Sequence, residues 1–170
     1  QADPDYAGLV ARGVADAVQA HLPADLVVRL AKRRRLYRAP EPYAGRGRPC
    51  KHGAAFRLHD PTTHGPADHA TTYQDPGYGS VQIDAWDGLH DEAATGDPFT
   101  VVRVQVEHLP RRAGAPAPLW LAWIGGSLPS DLLQVWRWYQ RRFAIEHGFR
   151  FLKQSLGWTT IRLRSPEAAD

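Results

Sequence analysis

The stretch YQRRFAIEHGFRFLKQSLGW at positions 139–158 decides the fold. Within it Tyr139, Arg142, Glu146 and Lys153 follow one another at intervals of three, four and seven residues. At about 100° per residue in an α-helix, the four side chains fall within an arc of about 60° and form one stripe. Apolar residues one and two turns earlier continue this stripe, namely Val135 and Leu132. We therefore expect an acid, two cations and a phenol on a helix face that also packs.

The helix that carries the stripe is predicted to begin near Pro129 and to end at about Leu156, where Gly157 can terminate it. Ser127 or Ser130 is available as the N-cap, and Asp131 would lie in the first turn, where the helix dipole favours a negative charge. The apolar residues are numerous enough that most of the helix should be packed: Leu132, Val135, Trp136, Phe143, Phe149 and Leu152.

Two interpretations of the stripe are open from the residues alone. Arg142 and Glu146 are spaced as an i,i+4 ion pair, so the stripe could be a salt-bridged surface. The spacing Tyr-x2-Arg-x3-Glu-x6-Lys, together with the continuous segment 141–158, also resembles bacterial insertion-sequence transposases of the DDE type, which have an RNase H-like catalytic fold. This resemblance implies that Glu146 is the third catalytic carboxylate, and that Tyr139, Arg142 and Lys153 contact DNA phosphates.

The resemblance also implies a second carboxylate in a motif of the form Asp-x-x-Tyr, which matches Asp3 to Tyr6. We assign Asp3 to this role, with Asp5 as the alternative. Asp3 and Glu146 would then bind Mg²⁺ (or Mn²⁺), which in such enzymes activates the attacking oxygen and stabilises the leaving oxygen at phosphorus. The first aspartate of the triad is expected upstream of Gln1, so activity of the chain on its own is an open question.

The remaining patterns predict a mixed α/β (α+β) architecture. Residues 8–22 have helical periodicity and residues 25–30 form an apolar run typical of a strand. Further strands are predicted at 80–86, 99–108 and 119–124, with loops at 60–79 and 87–98. The chain would thus comprise a partial RNase H-like core at 1–31, a basic loop and β-rich insertion at 32–126, and a long C-terminal catalytic helix with the last core segment at 127–170.

Charge is distributed unevenly along the chain. Residues 1–60 contain eleven Lys and Arg against six acids, residues 61–100 contain no Lys or Arg and seven acids, and residues 101–170 contain ten bases and five acids. In the first basic stretch Arg46 and Arg48 belong to an Arg-Gly-Arg-Pro sequence that resembles an AT-hook, although a simple basic linker is equally compatible. The run 32–38 is either a phosphate-facing edge or a charged loop.

Other candidate residues have ordinary explanations. His59, His64 and His69 recur at intervals of five without cysteine partners, so scattered loop histidines are favoured over a metal site. Tryptophans on the predicted strands favour core packing, although related transposases stack an insert tryptophan on a flipped base: Trp86, Trp120 and Trp123. The single cysteine excludes an internal disulfide, and the apolar runs are too short for a membrane span.

The sequence thus predicts part of a transposase that cleaves and joins double-stranded DNA at transposon ends and in target DNA. It would act in the bacterial cytoplasm, associated with the nucleoid, and as a homodimer in the full-length protein. Two alternatives remain: a non-catalytic DNA-binding module that uses Arg46, Arg48 and the run 32–38, or an inactive transposase remnant. Dependence of cleavage on a divalent metal would separate the enzyme from the binding module.

Overall fold

The computed structural model describes residues 25–43, 45, 47–110 and 114–155. The chain divides into two compact units, Gln1–Leu133 and Gln134–Asp170. The described part of the first unit contains seven strands: β1 (Leu26–Arg29), β2 (Arg35–Tyr37), β3 (Ala55–Arg57), β4 (His69–Asp75), β5 (Gly79–Asp91), β6 (Ala94–Val106) and β7 (Leu119–Ile124). A short 3₁₀ helix, Pro61–Thr63, follows β3, and a long helix, α1 (Leu133–Gln154), follows the strands.

The strands form one antiparallel sheet in the order β1-β7-β6-β5-β2-β3, with β4 also paired to β5. The antiparallel β-rich region and the mixed α+β class predicted from the sequence are therefore confirmed. The strand expected at 25–30 is β1, and it pairs along its whole length with β7, from Leu26 opposite Ile124 to Arg29 opposite Leu121.

Two segments predicted as loops are strands instead. The first, within 60–79, is β4, whose sequence HATTYQD is polar but contains the strand-forming Thr-Thr-Tyr and pairs in continuous register with β5. The second, 87–98, is the tip of the β5–β6 hairpin, where Asp91 lies opposite Ala94. Gly88, with φ of 66°, lies at a shift of register between Trp86 and Leu89, so the glycine marks a bulge inside a strand and not its end.

One face of the sheet carries a core that is rich in aromatic rings. Phe56 packs edge-on against Trp86 and Trp120 at ring distances of 5.3 and 6.2 Å. Other buried members of this core are Leu36, Leu58, Leu89 and Val101. Trp86, Trp120 and Trp123 are 2–4% exposed, which confirms that the three tryptophans predicted on strands are packing residues.

The buried polar side chains in the described part of the first unit include His64 and Asp84, which pairs with Arg103. His64 Nε2 donates to the Arg57 carbonyl at 2.8 Å, and burial lowers the pKa of this imidazole. Asp84 is 5% exposed and accepts from Nε and Nη2 of Arg103, its partner across the strands, at 3.1 and 2.6 Å. The Nε2 atom of His64 and the carboxylate of Asp84 therefore have hydrogen-bond partners within the unit.

Candidate active-site helix

Helix α1 begins four residues later than the sequence suggested, at Leu133 instead of Pro129. The carboxylate of Asp131 accepts a hydrogen bond from the Leu133 amide at 3.0 Å, so Asp131 satisfies one free N–H at this end of the helix, a role predicted for Ser127 or Ser130. The helix continues to Gln154, within two residues of the predicted end.

Burial along α1 is uneven. Val135, Trp136 and Tyr139 in its first two turns are 0–8% exposed. Further along, Ile145, Phe149 and Phe151 are 51–60% exposed. The expectation that most of the helix is packed is therefore correct for its first two turns only, and Phe149, predicted to pack, is an exposed aromatic ring.

Three of the four stripe residues are in contact. The Arg142 guanidinium lies over the Tyr139 ring at 5.1 Å, and its Nη2 is 3.4 Å from Oε1 of Glu146. Tyr139 is also stacked on Trp136, with 6.4 Å between the ring centroids. The buried rings of Trp136 and Tyr139 thus provide a platform on which the guanidinium rests, and the guanidinium in turn meets the carboxylate.

Lys153 lies further along the same side of the helix. Together with Glu146 it lines a shallow, open groove, whose other lining residues are Phe149, Arg150 and Gln154. The cations of Arg150 and Lys153 and the carboxylate of Glu146 share this groove, so its charge favours an anionic ligand. Small-molecule sites are usually enclosed clefts, so an open groove on a single helix is better suited to binding a long polymer.

The ion pair of Arg142 with Glu146 is exposed and loosely made. The two side chains are 47% and 51% exposed, and 3.4 Å is long for a charge-assisted hydrogen bond. A surface pair of this kind is worth about 0.5 kcal/mol or less. Arg142 can therefore turn to a phosphate, and Glu146 to a cation, at little energetic cost.

Several predicted site residues are not located by the structure. Asp3, its alternative Asp5 and the predicted helix at 8–22 lie outside the described residues, as does Arg46. Arg48 is described and exposed, in a segment without regular secondary structure. The structure thus places Tyr139, Arg142 and Glu146 in direct contact along the helix, and Lys153 lines the same groove as Glu146.

The three spaced histidines have separate surroundings. His64 is buried in the aromatic core, His69 Nε2 is 2.8 Å from Asp87 Oδ2 on the surface, and His59 is exposed. Over the described ranges, no group of three or more His, Cys, Asp and Glu side chains is arranged to hold a metal ion. In the same ranges no helix has the length and apolar character needed to cross a lipid bilayer.

Pairing of β2 with β3 reveals a basic residue that the sequence patterns missed. The register places Arg57 directly opposite Arg35, and both side chains are exposed. Arg57 lies outside every basic run of the sequence, so only knowledge of the strand register could have linked it with the run 32–38.

Comparison with protein-family models finds a match to the transposase DDE domain over residues 13–170. The matched region contains the seven strands that the structure describes and the whole of α1, and it begins after Asp3. Comparisons with curated proteins and with solved structures gave no match. Because the family model covers most of the chain, including the helix with the Tyr139–Lys153 stripe, the chain belongs to the family of transposase DDE domains.

Proposed function

We propose that Glu146 is a metal-binding catalytic carboxylate of a transposase that cleaves and joins DNA strands at transposon ends. The family implies a DNA substrate and divalent metal ions. The observation that carries the proposal for this residue is the position of Glu146 on α1, where it lines an open groove with Arg150 and Lys153 and also pairs with Arg142, whose guanidinium rests on the Tyr139 ring.

The donor chemistry at Glu146 fits a hard divalent cation. Mg²⁺ is usually held by one or two protein carboxylates together with water and phosphate oxygens, so a complete cage of protein ligands is not required. Glu146 would be one such ligand and Asp3 another, joined by the first aspartate of the triad. The ions, Mg²⁺ or Mn²⁺, would supply Lewis-acid stabilisation of charge at the phosphodiester.

The other stripe residues would hold the DNA strand in place. Arg142 can bind two phosphate oxygens through its planar guanidinium, and the Tyr139 ring on which it rests limits its freedom. Lys153 would contribute a point charge along the groove, and the Tyr139 hydroxyl can donate a hydrogen bond. Each of these groups positions the phosphodiester that is to be cut.

The wider organisation that we propose follows the same assignment. Segments 1–31 and 127–170 would belong to the RNase H-like core and 32–126 to the insertion, with β1 joined to the insertion by its pairing with β7. Arg46 and Arg48 would add contacts to DNA, and two copies of the full-length protein would act together on paired transposon ends.

The test is cleavage of a plasmid that carries the transposon ends by the full-length protein with Glu146→Gln, which keeps the size of the side chain and removes its charge. Loss of several kcal/mol of transition-state stabilisation predicts a fall in rate of about a thousandfold. Glu92, exposed at the tip of the β5–β6 hairpin, provides a matched control, and Glu92→Gln should cleave normally.

DNA binding in EDTA completes the test, because binding to the phosphate backbone needs no metal ion. Glu146→Gln should bind the ends as the unaltered protein does. Cleavage at a normal rate by Glu146→Gln would refute the assignment. Binding without metal-dependent cleavage by the unaltered full-length protein would instead favour a non-catalytic DNA-binding module.

A further inference from the structure

A second cationic feature lies on the β2–β3 ribbon, defined as residues 35–37 and 55–57. Arg35 and Arg57 are direct partners across its two strands, which places their Cβ atoms about 5 Å apart. Leu36 and Phe56 are the chain neighbours of the two arginines, so their side chains point to the opposite face of the ribbon, where they are fully buried in the aromatic core. The core therefore fixes the face from which both arginines project.

Two like charges directly opposite each other on neighbouring strands destabilise a sheet. Neither strand needs arginine for its packing, since the buried positions are Leu36, Phe56 and Tyr37. An anion placed between the two guanidinium groups would remove the repulsion, so the pair is suited to a bound anion.

The side chain of Arg35 is already oriented. Its guanidinium lies over the Tyr37 ring at 4.8 Å, and the His52 ring lies 4.5 Å from the same tyrosine. Tyr37 is 5% exposed, so the cation rests on a buried ring and loses less freedom when it binds a ligand. Within the described part of the chain, the carboxylate of Asp91 pairs with the neighbouring Arg34, and no carboxylate pairs with Arg35.

The carboxylate of Asp60 competes only weakly with a bound anion for the guanidinium of Arg57. Its Nη1 is 3.7 Å from Oδ2 of Asp60, and the two side chains are 44% and 31% exposed. The other carboxylate oxygen of Asp60 accepts from the amide and hydroxyl of Thr62 at 3.2 and 2.6 Å, and these hydrogen bonds lower the pKa of Asp60. Asp60 is therefore held by Thr62, and its long contact leaves Arg57 able to bind a second anion.

We propose that the outer face of the β2–β3 ribbon binds the phosphate backbone of double-stranded DNA, with Arg35 and Arg57 forming a two-arginine clamp. The choice of DNA as the ligand rests on the proposed function. The clamp and the stripe on α1 consist of different residues. The bases Lys32, Arg33 and Lys51, all exposed and close to the clamp in the sequence, add to the positive potential of this part of the chain. Because the clamp contacts phosphates, it contributes affinity and no preference for sequence.

The test measures binding of the full chain to a fluorescein-labelled duplex by anisotropy, in EDTA and over a series of salt concentrations. Arg35→Gln and Arg57→Gln should each weaken binding about tenfold and lower the slope of log K against log salt by about 0.9. Asp60→Asn removes the competing charge and keeps an acceptor for Thr62, so it should tighten binding.

Arg29 on β1 supplies the matched control, because it is exposed and lies at the other end of the strand order from the ribbon. Arg29→Gln should change the dissociation constant by less than twofold. Thermal melting separates binding from folding: Arg57→Gln relieves the repulsion with Arg35, so its melting temperature in the absence of DNA should be no lower than that of the unaltered chain.

The proposal is overturned if Arg35→Gln and Arg57→Gln leave affinity and salt slope unchanged, or if Arg29→Gln weakens binding as much. It is also overturned if the unaltered chain binds no duplex. These outcomes are distinct from failure of the catalytic assignment, which is read by metal-dependent cleavage with Glu146→Gln and not by binding in EDTA.

Discussion

Replacement of Asp84 by asparagine is predicted to destabilise the β-sheet unit strongly, because this carboxylate is the buried partner of Arg103. Asp84 is 5% exposed, and one of its oxygens accepts both hydrogen bonds from the guanidinium. The amide of Gln82 lies 3.2 Å from each carboxylate oxygen. Asp84→Asn keeps the size of the side chain but leaves the charge of Arg103 without compensation.

The magnitude follows from the burial of the two partners. Breaking a buried ion pair by removing one charge costs about 3–5 kcal/mol. The Arg103 side chain is 25% exposed and can recover part of its hydration, so we expect a loss of about 2–4 kcal/mol. Against a total stability of about 5–15 kcal/mol for a domain, this is a large fraction.

Urea denaturation followed by tryptophan fluorescence is a suitable assay, since Trp86 and Trp120 are buried in the same unit. Asp87 provides the control: its contact with His69 joins side chains that are 49% and 48% exposed, and Asp87→Asn should cost about 1 kcal/mol or less. If Asp84→Asn and Asp87→Asn lowered the free energy of unfolding equally, the argument from burial would be refuted.

Three further predictions concern pH, packing and DNA contacts. Burial lowers the pKa of His64 from its ordinary value of 6.5, so the unfolded chain binds the proton more tightly than the folded chain does. The stability contributed by this residue is complete above about pH 6.5 and is lost as the pH falls below that value. Urea denaturation at several pH values would detect this loss, and the pH dependence should be smaller in His64→Phe. Gly53→Ala would place a Cβ atom 2.2 Å from the Ala39 carbonyl oxygen, a backbone atom that cannot move alone. Thermal melting should therefore show a loss of stability of about 1–3 kcal/mol. The control is Gly96→Ala, where nothing lies within 4 Å of the added Cβ atom, and it should not show this loss. Arg142→Lys keeps the charge but loses bidentate binding of phosphate, so the rate of cleavage by the full-length protein should fall about tenfold or more. The melting temperature should stay within a few degrees of that of the unaltered protein. An unchanged rate of cleavage would show that Arg142 does not belong to the site.

Some of the fold was readable from the sequence and some was not. The strand β7 was predicted with its observed bounds because the apolar run from Leu119 to Ile124 ends at glycine. By contrast β4 is polar and mostly exposed, so its strand structure comes from pairing with β5, which no local pattern reports. The start of α1 was misplaced because three polar residues compete as caps, and the structure uses Asp131.

The candidate site divides in the same way. The stripe on α1 follows from helical spacing alone, and its observed contacts agree with that spacing. The meeting of Arg35 with Arg57 depends on the register of two strands separated by a long loop, and that register is set by burial of Leu36 and Phe56 in a shared core. Asp3 remains a prediction, because its position lies outside the described residues.

The most direct measurement of the central claim is metal rescue of the full-length protein with Glu146→Cys. A thiolate binds softer ions such as Mn²⁺ or Zn²⁺ better than it binds Mg²⁺. If Glu146 is a metal ligand, this variant should be inactive in Mg²⁺ and recover cleavage of transposon ends in the softer metal, whereas Glu146→Ala should not recover. Equal cleavage by Glu146→Cys and the unaltered protein in Mg²⁺ would contradict the account.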